Sequence, residues 1–163
     1  MATQATLSKT KEKLVGMGQI AVAGAPERLK AILGSCIGLV IYHPRLKTGV
    51  MAHIVLPDSA GRQGAAGKFG DTAVPEMLAL LAQRGTPAHG LIAKFAGGAN
   101  MFGSTGPLQI GDANNDAVMQ ALASAGVRIA GQDVGGNKGR RIVFDSATGE
   151  LTIECAGQPS RAL

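Results

Sequence analysis

Two apolar runs, LGSCIGLVIY at residues 33–42 and GVMAHIVL at residues 49–56, decide the fold. Both are rich in β-branched and aliphatic residues, which is typical of buried strands. The connection begins His43-Pro44, and proline at the second position favours a type I turn over residues 43–46. The sequence therefore predicts an antiparallel hairpin with strands at 37–42 and 50–56.

The hairpin brings a thiol close to an imidazole. If Tyr42 pairs with Lys47, Cys36 lies directly opposite His53 on the same face. A slip of one residue would put them on opposite faces. A paired imidazole lowers the pKa of a thiol, and the two groups can then act as nucleophile and base. Cys36 and His53 are the candidate catalytic residues, although each taken alone is typical of a buried structural position.

Small residues surround this candidate pair. Gly34 and Ser35 precede the cysteine, leave room for a substrate, and could supply an oxyanion hole through backbone N–H groups. Gly97, Gly98 and Asn100 lie in a glycine-rich turn that could line the site, or could be needed only for the turn. Its glycine spacing matches neither a Rossmann nor a P-loop motif.

The rest of the chain alternates short strands with two helices. We predict one helix capped by Asp71 that ends at Gly85, and a second over 116–125, capped by Asp112 or Asn114 and closed by Gly126. Glycine-rich segments at 59–70 and 103–111 predict loops. The further strands are predicted at 16–22, 27–33, 91–95, 127–130, 141–144 and 150–154. Hairpins mixed with helices indicate the α+β class.

Length and composition limit the classes of protein to which this chain can belong. The 163 residues suit one domain at 14–155, between a disordered tail at 1–13 and a polar tail at 156–163. No apolar run reaches the ~20 residues of a spanning helix, and no export signal is visible, so we expect a cytoplasmic protein without membrane insertion. The net charge of +5 is scattered and Trp is absent, which disfavours nucleic-acid binding. No ligand spacing predicts a metal, and we expect no cofactor.

Five segments together resemble the CheD family of chemotaxis proteins. The likeness runs in order from about Gly16 to Ile153, nearly the whole predicted domain. The segments are LGSC at 33–36, MAHIVLPDS at 51–59, FAGGANMF at 95–102, IG at 110–111 and DVGGNKGRR at 133–141.

The resemblance implies a chemoreceptor glutamine deamidase. Such enzymes hydrolyse selected glutamine side chains on the cytoplasmic helices of receptors, and members commonly bind a CheC-type phosphatase. Carried over by position, Cys36 would form a thioester and His53 would transfer the protons. The implied fold consists of packed, mostly antiparallel β-sheets in a sandwich with outer helices, similar to that of deamidating toxins.

One family feature is missing from this sequence. The family's Cys-His-Thr triad has its threonine five or six residues before the cysteine, where this chain has Ala31 and Lys30. Ser35 or a backbone carbonyl could orient the imidazole instead, since loss of the orienting group usually slows such an enzyme without abolishing its activity. The alternative is a weakly active or inactive adaptor that binds receptors and a CheC-type phosphatase.

Overall fold

The computed structural model of the protein describes residues 11–101 and 109–163. Most of the tail predicted over 1–13 lies outside the described residues. The same holds for Phe102 of the glycine-rich turn and for most of the loop predicted at 103–111.

The described residues form ten strands and two α-helices, of which α1 is Gly70–Gln83 and α2 is Ile110–Ala125. A short 3₁₀ turn, Ala66–Lys68, precedes α1. The strands are β1 (Glu12–Leu14), β2 (Ile20–Gly24), β3 (Arg28–Leu33), β4 (Ile37–His43), β5 (Thr48–Ile54), β6 (Ile92–Gly97), β7 (Arg128–Val134), β8 (Arg140–Asp145), β9 (Glu150–Glu154) and β10 (Arg161–Ala162).

The strands form two five-stranded sheets. The first has the order β1-β3-β8-β9-β10, and the second has the order β2-β5-β4-β6-β7. Neighbouring strands run antiparallel except for the β1–β3 and β6–β7 pairs, which are parallel. The predicted hairpin forms β4 and β5 of the second sheet, with β4 at its centre.

The two faces of β4 show how the layers pack. Ile37, Leu39 and Ile41 belong to a cluster that also contains the buried side chains of both helices. Val40 and Tyr42 point the other way, into a cluster built with the first sheet that we call the inter-sheet core. The first sheet contributes to this core Leu29, Ala31, Leu33, Ile142, Phe144, Leu151 and Ile153. The prediction of an α+β fold with packed sheets and outer helices is confirmed, and both helices cover the same sheet.

The pairing register of the hairpin differs from the prediction by two residues. His53 pairs with Gly38, so the expected direct pairing with Cys36 is wrong. The turn keeps four residues but occupies 44–47, because Lys47 adopts a left-handed conformation with φ of 51°. Moving a turn of fixed length by one residue shifts the pairing by two, and a shift of two leaves every side chain on its original face.

Both helices begin earlier than the sequence predicted. Asp71 lies inside α1 and does not cap it, because its carboxylate accepts hydrogen bonds from the N–H and hydroxyl of Ser59. Asp112 and Asn114 likewise lie inside α2, whose predicted end at Gly126 is confirmed by the φ of 71° there. No helix in the described ranges is long and apolar enough to cross a membrane.

Both ends of the described chain take part in the first sheet. Glu12–Leu14 pairs in parallel with β3, so the strand begins within the segment predicted as a tail. At the other end, Arg161–Ala162 pairs antiparallel with β9. The Lys94 ammonium reinforces this end by donating to the carbonyl oxygens of Leu163 and Gly149, at 2.8 and 2.7 Å. Residues near both ends therefore contribute to the sandwich.

Gly49 of β5 tests the packing between the sheets. A Cβ at this position would lie 2.7 Å from Cε2 of Phe144 and 3.2 Å from Cδ2 of Tyr42. We expect Gly49→Ala to lower the free energy of unfolding in urea by about 1–3 kcal/mol through overpacking. Gly24→Ala is the matched control, since nothing lies within 4 Å of a Cβ there. Equal losses in the two variants would contradict the packing described.

Candidate active site

Cys36 lies in the short connection between β3 and β4, at the edge of the inter-sheet core. The residue is 7% exposed, and its side chain packs with that core. Gly34 lies beside the half-exposed Met101, whose Cγ would be 3.5 Å from a Cβ at position 34. The thiol is therefore buried against the core, and Met101 packs beside the segment that precedes it.

All three carbonyl groups of the Gly34–Cys36 segment accept hydrogen bonds. The Gly34 and Cys36 carbonyl oxygens accept from the N–H groups of Ala99 and Gly98, at 3.0 and 2.9 Å. The Ser35 carbonyl oxygen accepts from the Nδ2 group of Asn114 in α2, at 2.9 Å. The backbone before β4 is therefore fixed on its carbonyl side by both the glycine-rich turn and the second helix.

The amide N–H groups of the same segment contrast with its carbonyl groups. Within the described ranges, neither Ser35 nor Cys36 has an acceptor for its backbone N–H. Two adjacent unpaired N–H groups beside a nucleophile are the donors that an oxyanion hole requires. This arrangement fits the oxyanion support predicted for this segment.

Gly97 and Gly98 contact the backbone of Cys36 and do not line the site with side chains. Gly97 has a φ of +115°, and a Cβ there would collide with the carbonyl oxygen of Cys36. Gly98 has a φ of +65° and is packed against Gly111 at the start of α2. Only glycine combines these backbone angles with such close approaches. The third predicted lining residue, Asn100, instead directs its Nδ2 group to Asp112, at 3.1 Å.

A buried ion pair holds this turn in place. The Arg140 guanidinium is 7% exposed and donates to Asp133 at 3.0 Å. It also donates to the carbonyl oxygens of Gly97 and Gly135, at 3.1 and 2.9 Å. The segment 133–141 quoted for the family resemblance therefore supports the turn that contacts Cys36.

His53 of β5 is buried and fixed by the main chain. Its Nδ1 atom lies 2.8 Å from the carbonyl oxygen of Val15. Because a carbonyl oxygen only accepts hydrogen bonds, this contact assigns the proton to Nδ1 and leaves the Nε2 of the neutral ring as an acceptor. Val15 is held in turn, since its N–H donates to the Lys30 carbonyl oxygen at 2.8 Å.

The two residues at which the family resemblance implies a threonine, Lys30 and Ala31, do not orient the imidazole. Lys30 directs its ammonium to Glu12, at 3.5 Å, and Ala31 is buried in the inter-sheet core. Of the substitutes considered from the sequence, the backbone carbonyl is the one that contacts His53. An imidazole oriented in this way has the tautomer that a general base needs.

Cys36 and His53 are diagonal neighbours on one face of the second sheet. His53 pairs with Gly38, which is two residues after the cysteine, and both candidates are less than 10% exposed. Diagonal positions lie roughly 7–8 Å apart at the backbone, which long side chains can bridge. The structure therefore places the thiol and the imidazole on the same face.

Burial raises the pKa of the Cys36 thiol above its ordinary value. The expectation of a lowered thiol pKa is wrong, because loss of hydration of the thiolate dominates. A protonated thiol must lose its proton as it attacks, so a neutral imidazole is the group that the site needs. No group of three or more His, Cys, Asp or Glu side chains that could hold a metal is present in the described ranges.

Three contributors to this site were missed in the sequence. Asn114 was considered only as a helix cap, Arg140 only as part of the segment 133–141 quoted for the family resemblance, and Val15 acts through its carbonyl group. The one available signal was the polar Asn114 four residues before Val118, on the apolar side of α2. A main-chain carbonyl has no sequence signal at all.

Thiol titration tests the environment of Cys36. In a Cys155→Ser variant, we expect the alkylation of Cys36 by iodoacetamide to reach half its maximal rate at a higher pH in the folded than in the urea-unfolded protein. The pKa of Cys36 is higher in the folded than in the unfolded protein. The contribution of this thiol to the free energy of unfolding is therefore fully present below the unfolded pKa, and it is lost as the pH rises through the folded pKa. A folded midpoint at or below the unfolded midpoint would contradict burial as the dominant effect.

Gly97→Ala tests the turn behind the cysteine. The new Cβ meets a carbonyl oxygen in a strained conformation, so we expect a loss of at least about 2 kcal/mol in the free energy of unfolding. The control, Gly61→Ala, has a similar positive φ of +75° but open space around it. The control measures the cost of the positive φ alone. If Gly61→Ala lost as much free energy of unfolding as Gly97→Ala, the close approach of Gly97 to the Cys36 carbonyl oxygen would be refuted.

Curated relatives align with this chain over nearly its whole length. A "Probable chemoreceptor glutamine deamidase CheD" of Desulforamulus reducens is 39% identical over 155 residues, covering 91% of this chain and 93% of the relative. A protein of the same name from Symbiobacterium thermophilum is 38% identical, covering 96% and 100%. The "Chemoreceptor glutamine deamidase CheD" of Thermotoga maritima is 38% identical, covering 90% and 93%. Alignments of this extent include both Cys36 and His53.

A family model and a solved structure also match. The crystal structure of the Bacillus licheniformis hypothetical protein YfiH is similar at a TM-score of 0.47 and 13% identity, covering 77% of this chain and 59% of that one. The model described as CheD chemotactic sensory transduction matches residues 55–155. Together with the relatives, this match shows that the chain belongs to the CheD family.

Proposed function

We propose that this protein is a chemoreceptor glutamine deamidase in which Cys36 is the nucleophile and His53 the general acid and base. The observation that carries the proposal is the imidazole held by the Val15 carbonyl, on the same face of the sheet as the thiol. The relatives bear the name of this activity. Hydrolysis of an amide through a thioester needs a thiol, a base and an oxyanion hole, and this site offers candidates for all three.

The first half of the reaction forms a thioester. His53 Nε2 takes the thiol proton while Sγ of Cys36 bonds to the amide carbon of the glutamine side chain, and the carbonyl electrons move to oxygen. The free N–H groups of Ser35 and Cys36 stabilise the resulting oxyanion. As the intermediate collapses, the C–N bond breaks, the imidazolium returns its proton to nitrogen, and ammonia leaves.

The second half regenerates the thiol. His53, neutral again, takes a proton from a water molecule that attacks the thioester carbon. The C–S bond breaks, the thiolate receives the proton from the imidazolium, and glutamate remains on the substrate. Every proton passes through the same nitrogen, so this mechanism uses only the side chains and backbone N–H groups of the chain and requires no cofactor.

The orientation of His53 supports the enzyme over an inactive adaptor. The adaptor alternative rested on the absence of the family threonine, which would leave the imidazole without an orienting partner. Here the Val15 carbonyl fills that role at 2.8 Å. A protein that only binds receptors would not need an imidazole of fixed tautomer on the same face of the sheet as a thiol.

The proposed partners follow from the family. The substrates are glutamines on the cytoplasmic helices of methyl-accepting chemoreceptors, which places this protein in the cytoplasm. A CheC-type phosphatase is the second proposed partner, and neither nucleic acid nor membrane insertion has a part in this function. Binding to the phosphatase would couple receptor modification to the signalling pathway.

Two cysteine variants test the activity. We expect the purified protein to release ammonia from a recombinant receptor cytoplasmic fragment and to convert specific glutamines to glutamate, as seen by mass spectrometry. Cys36→Ala removes the nucleophile and lowers the rate at least about 1,000-fold, whereas Cys155→Ala, the matched control, keeps the wild-type rate. Binding to the receptor without conversion by the wild-type protein would establish the adaptor alternative, and conversion by Cys36→Ala would exclude the proposed nucleophile.

A further inference from the structure

Asn114 is a fully buried polar side chain in a helix that otherwise faces an apolar core. It lies one turn before Val118 and two turns before Leu122, both of which are fully buried on the same side of α2. Burying an amide in such surroundings is unfavourable unless it forms hydrogen bonds. Its position therefore needs a reason that helix packing does not provide.

The hydrogen bonds of Asn114 supply that reason. Its Nδ2 group donates to the Ser35 carbonyl oxygen at 2.9 Å and to the Val55 carbonyl oxygen at 3.0 Å. Ser35 immediately precedes the nucleophile, and Val55 follows the proposed base His53 by two residues. A single amide group thus joins the segment that carries the thiol to the end of the strand that carries the imidazole.

No other described side chain donates to either carbonyl group. The amide N–H of Val55 is occupied by the Lys68 carbonyl oxygen, so β5 is held at this end by main-chain contacts on one side and by Asn114 on the other. Without the two Nδ2 donors, both carbonyl oxygens would lose this partner, and the connection before β4 would keep only its hydrogen bonds to Gly98 and Ala99. The Oδ1 atom of Asn114 is buried and has no partner among the described residues.

We infer that Asn114 is a positioning residue that sets the distance and angle between Cys36 and His53. The inference rests on the proposed function for its catalytic consequence, but the structural link it describes does not depend on the substrate. Displacing a reacting group by 1 Å costs about 100-fold in rate. Loss of the link should therefore reduce kcat more than it affects substrate binding, which depends on the outer surface of the site.

Two variants of Asn114 and one control test the inference. Asn114→Asp keeps the volume and removes both donors, and Asn114→Ala removes the whole amide. The control, Val118→Ala, creates a cavity on the same side of α2 without touching either carbonyl group. For both Asn114 variants we expect kcat for the receptor fragment to fall about 10- to 100-fold with KM within about twofold of wild type. The Val118→Ala control should keep its kcat within about twofold of wild type, even where its thermal stability is lower.

Hydrogen exchange supplies a readout that does not need activity. We expect four amides to exchange faster in both Asn114 variants than in Val118→Ala at equal global stability: those of Gly98 and Ala99, which donate to the Cys36 and Gly34 carbonyl oxygens, and those of Val55 and Leu56, which donate to the Lys68 carbonyl oxygen. Unchanged exchange, or a kcat equal to that of the control, would overturn the inference. If the wild-type protein deamidates no receptor glutamine, the proposed function fails. The exchange experiment still decides on the link through Asn114: faster exchange supports it, and unchanged exchange refutes it. Should Asn114→Ala not fold, Asn114→Asp decides the matter alone.

Discussion

The structure depends on the hydrogen bonds that hold the backbone from Gly34 to Cys36. Three successive carbonyl groups are held by donors from the glycine-rich turn after β6 and from helix α2. These donors come from residues more than sixty positions later in the sequence, so the position of the candidate nucleophile depends on the packing of β6 and α2 against β4. With the carbonyl side occupied, the N–H side of the same peptide groups is left for an oxyanion.

The sandwich explains why the reacting groups are buried and yet approachable. Both lie on the inner face of the second sheet, at the end of the strands where the inter-sheet core stops. Burial there raises the pKa of the Cys36 thiol, which lowers the fraction of thiolate open to oxidation and alkylation. In the proposed mechanism the thiol is activated by an imidazole whose tautomer is fixed by the main-chain carbonyl group of Val15.

The sequence was informative where the local pattern determines the structure and less so where distant groups meet. Strand runs such as 37–42 and the placement of Cys36 and His53 on one face were predictable, because side chains alternate with a period of two. The register was missed by two residues because the left-handed Lys47 moved the turn, which the proline signal does not reveal. Helix α2 begins six residues before its predicted start at Asp116, since tertiary contacts of Gly111 and Asn114 override their weak helix preference. The Val15 carbonyl could not be predicted, since every residue has one.

The contact between Val15 and His53 makes a short edge strand part of the chemistry. The imidazole depends on the pairing of β1 with β3, and that pairing is maintained by backbone hydrogen bonds together with the ion pairs of Glu12 with Lys30 and Arg28. Selection for an oriented base in this chain would therefore act on strand pairing and leave the side chain at position 15 free to vary within the limits of the core. A binding partner that displaced this edge would switch off the base without entering the active site.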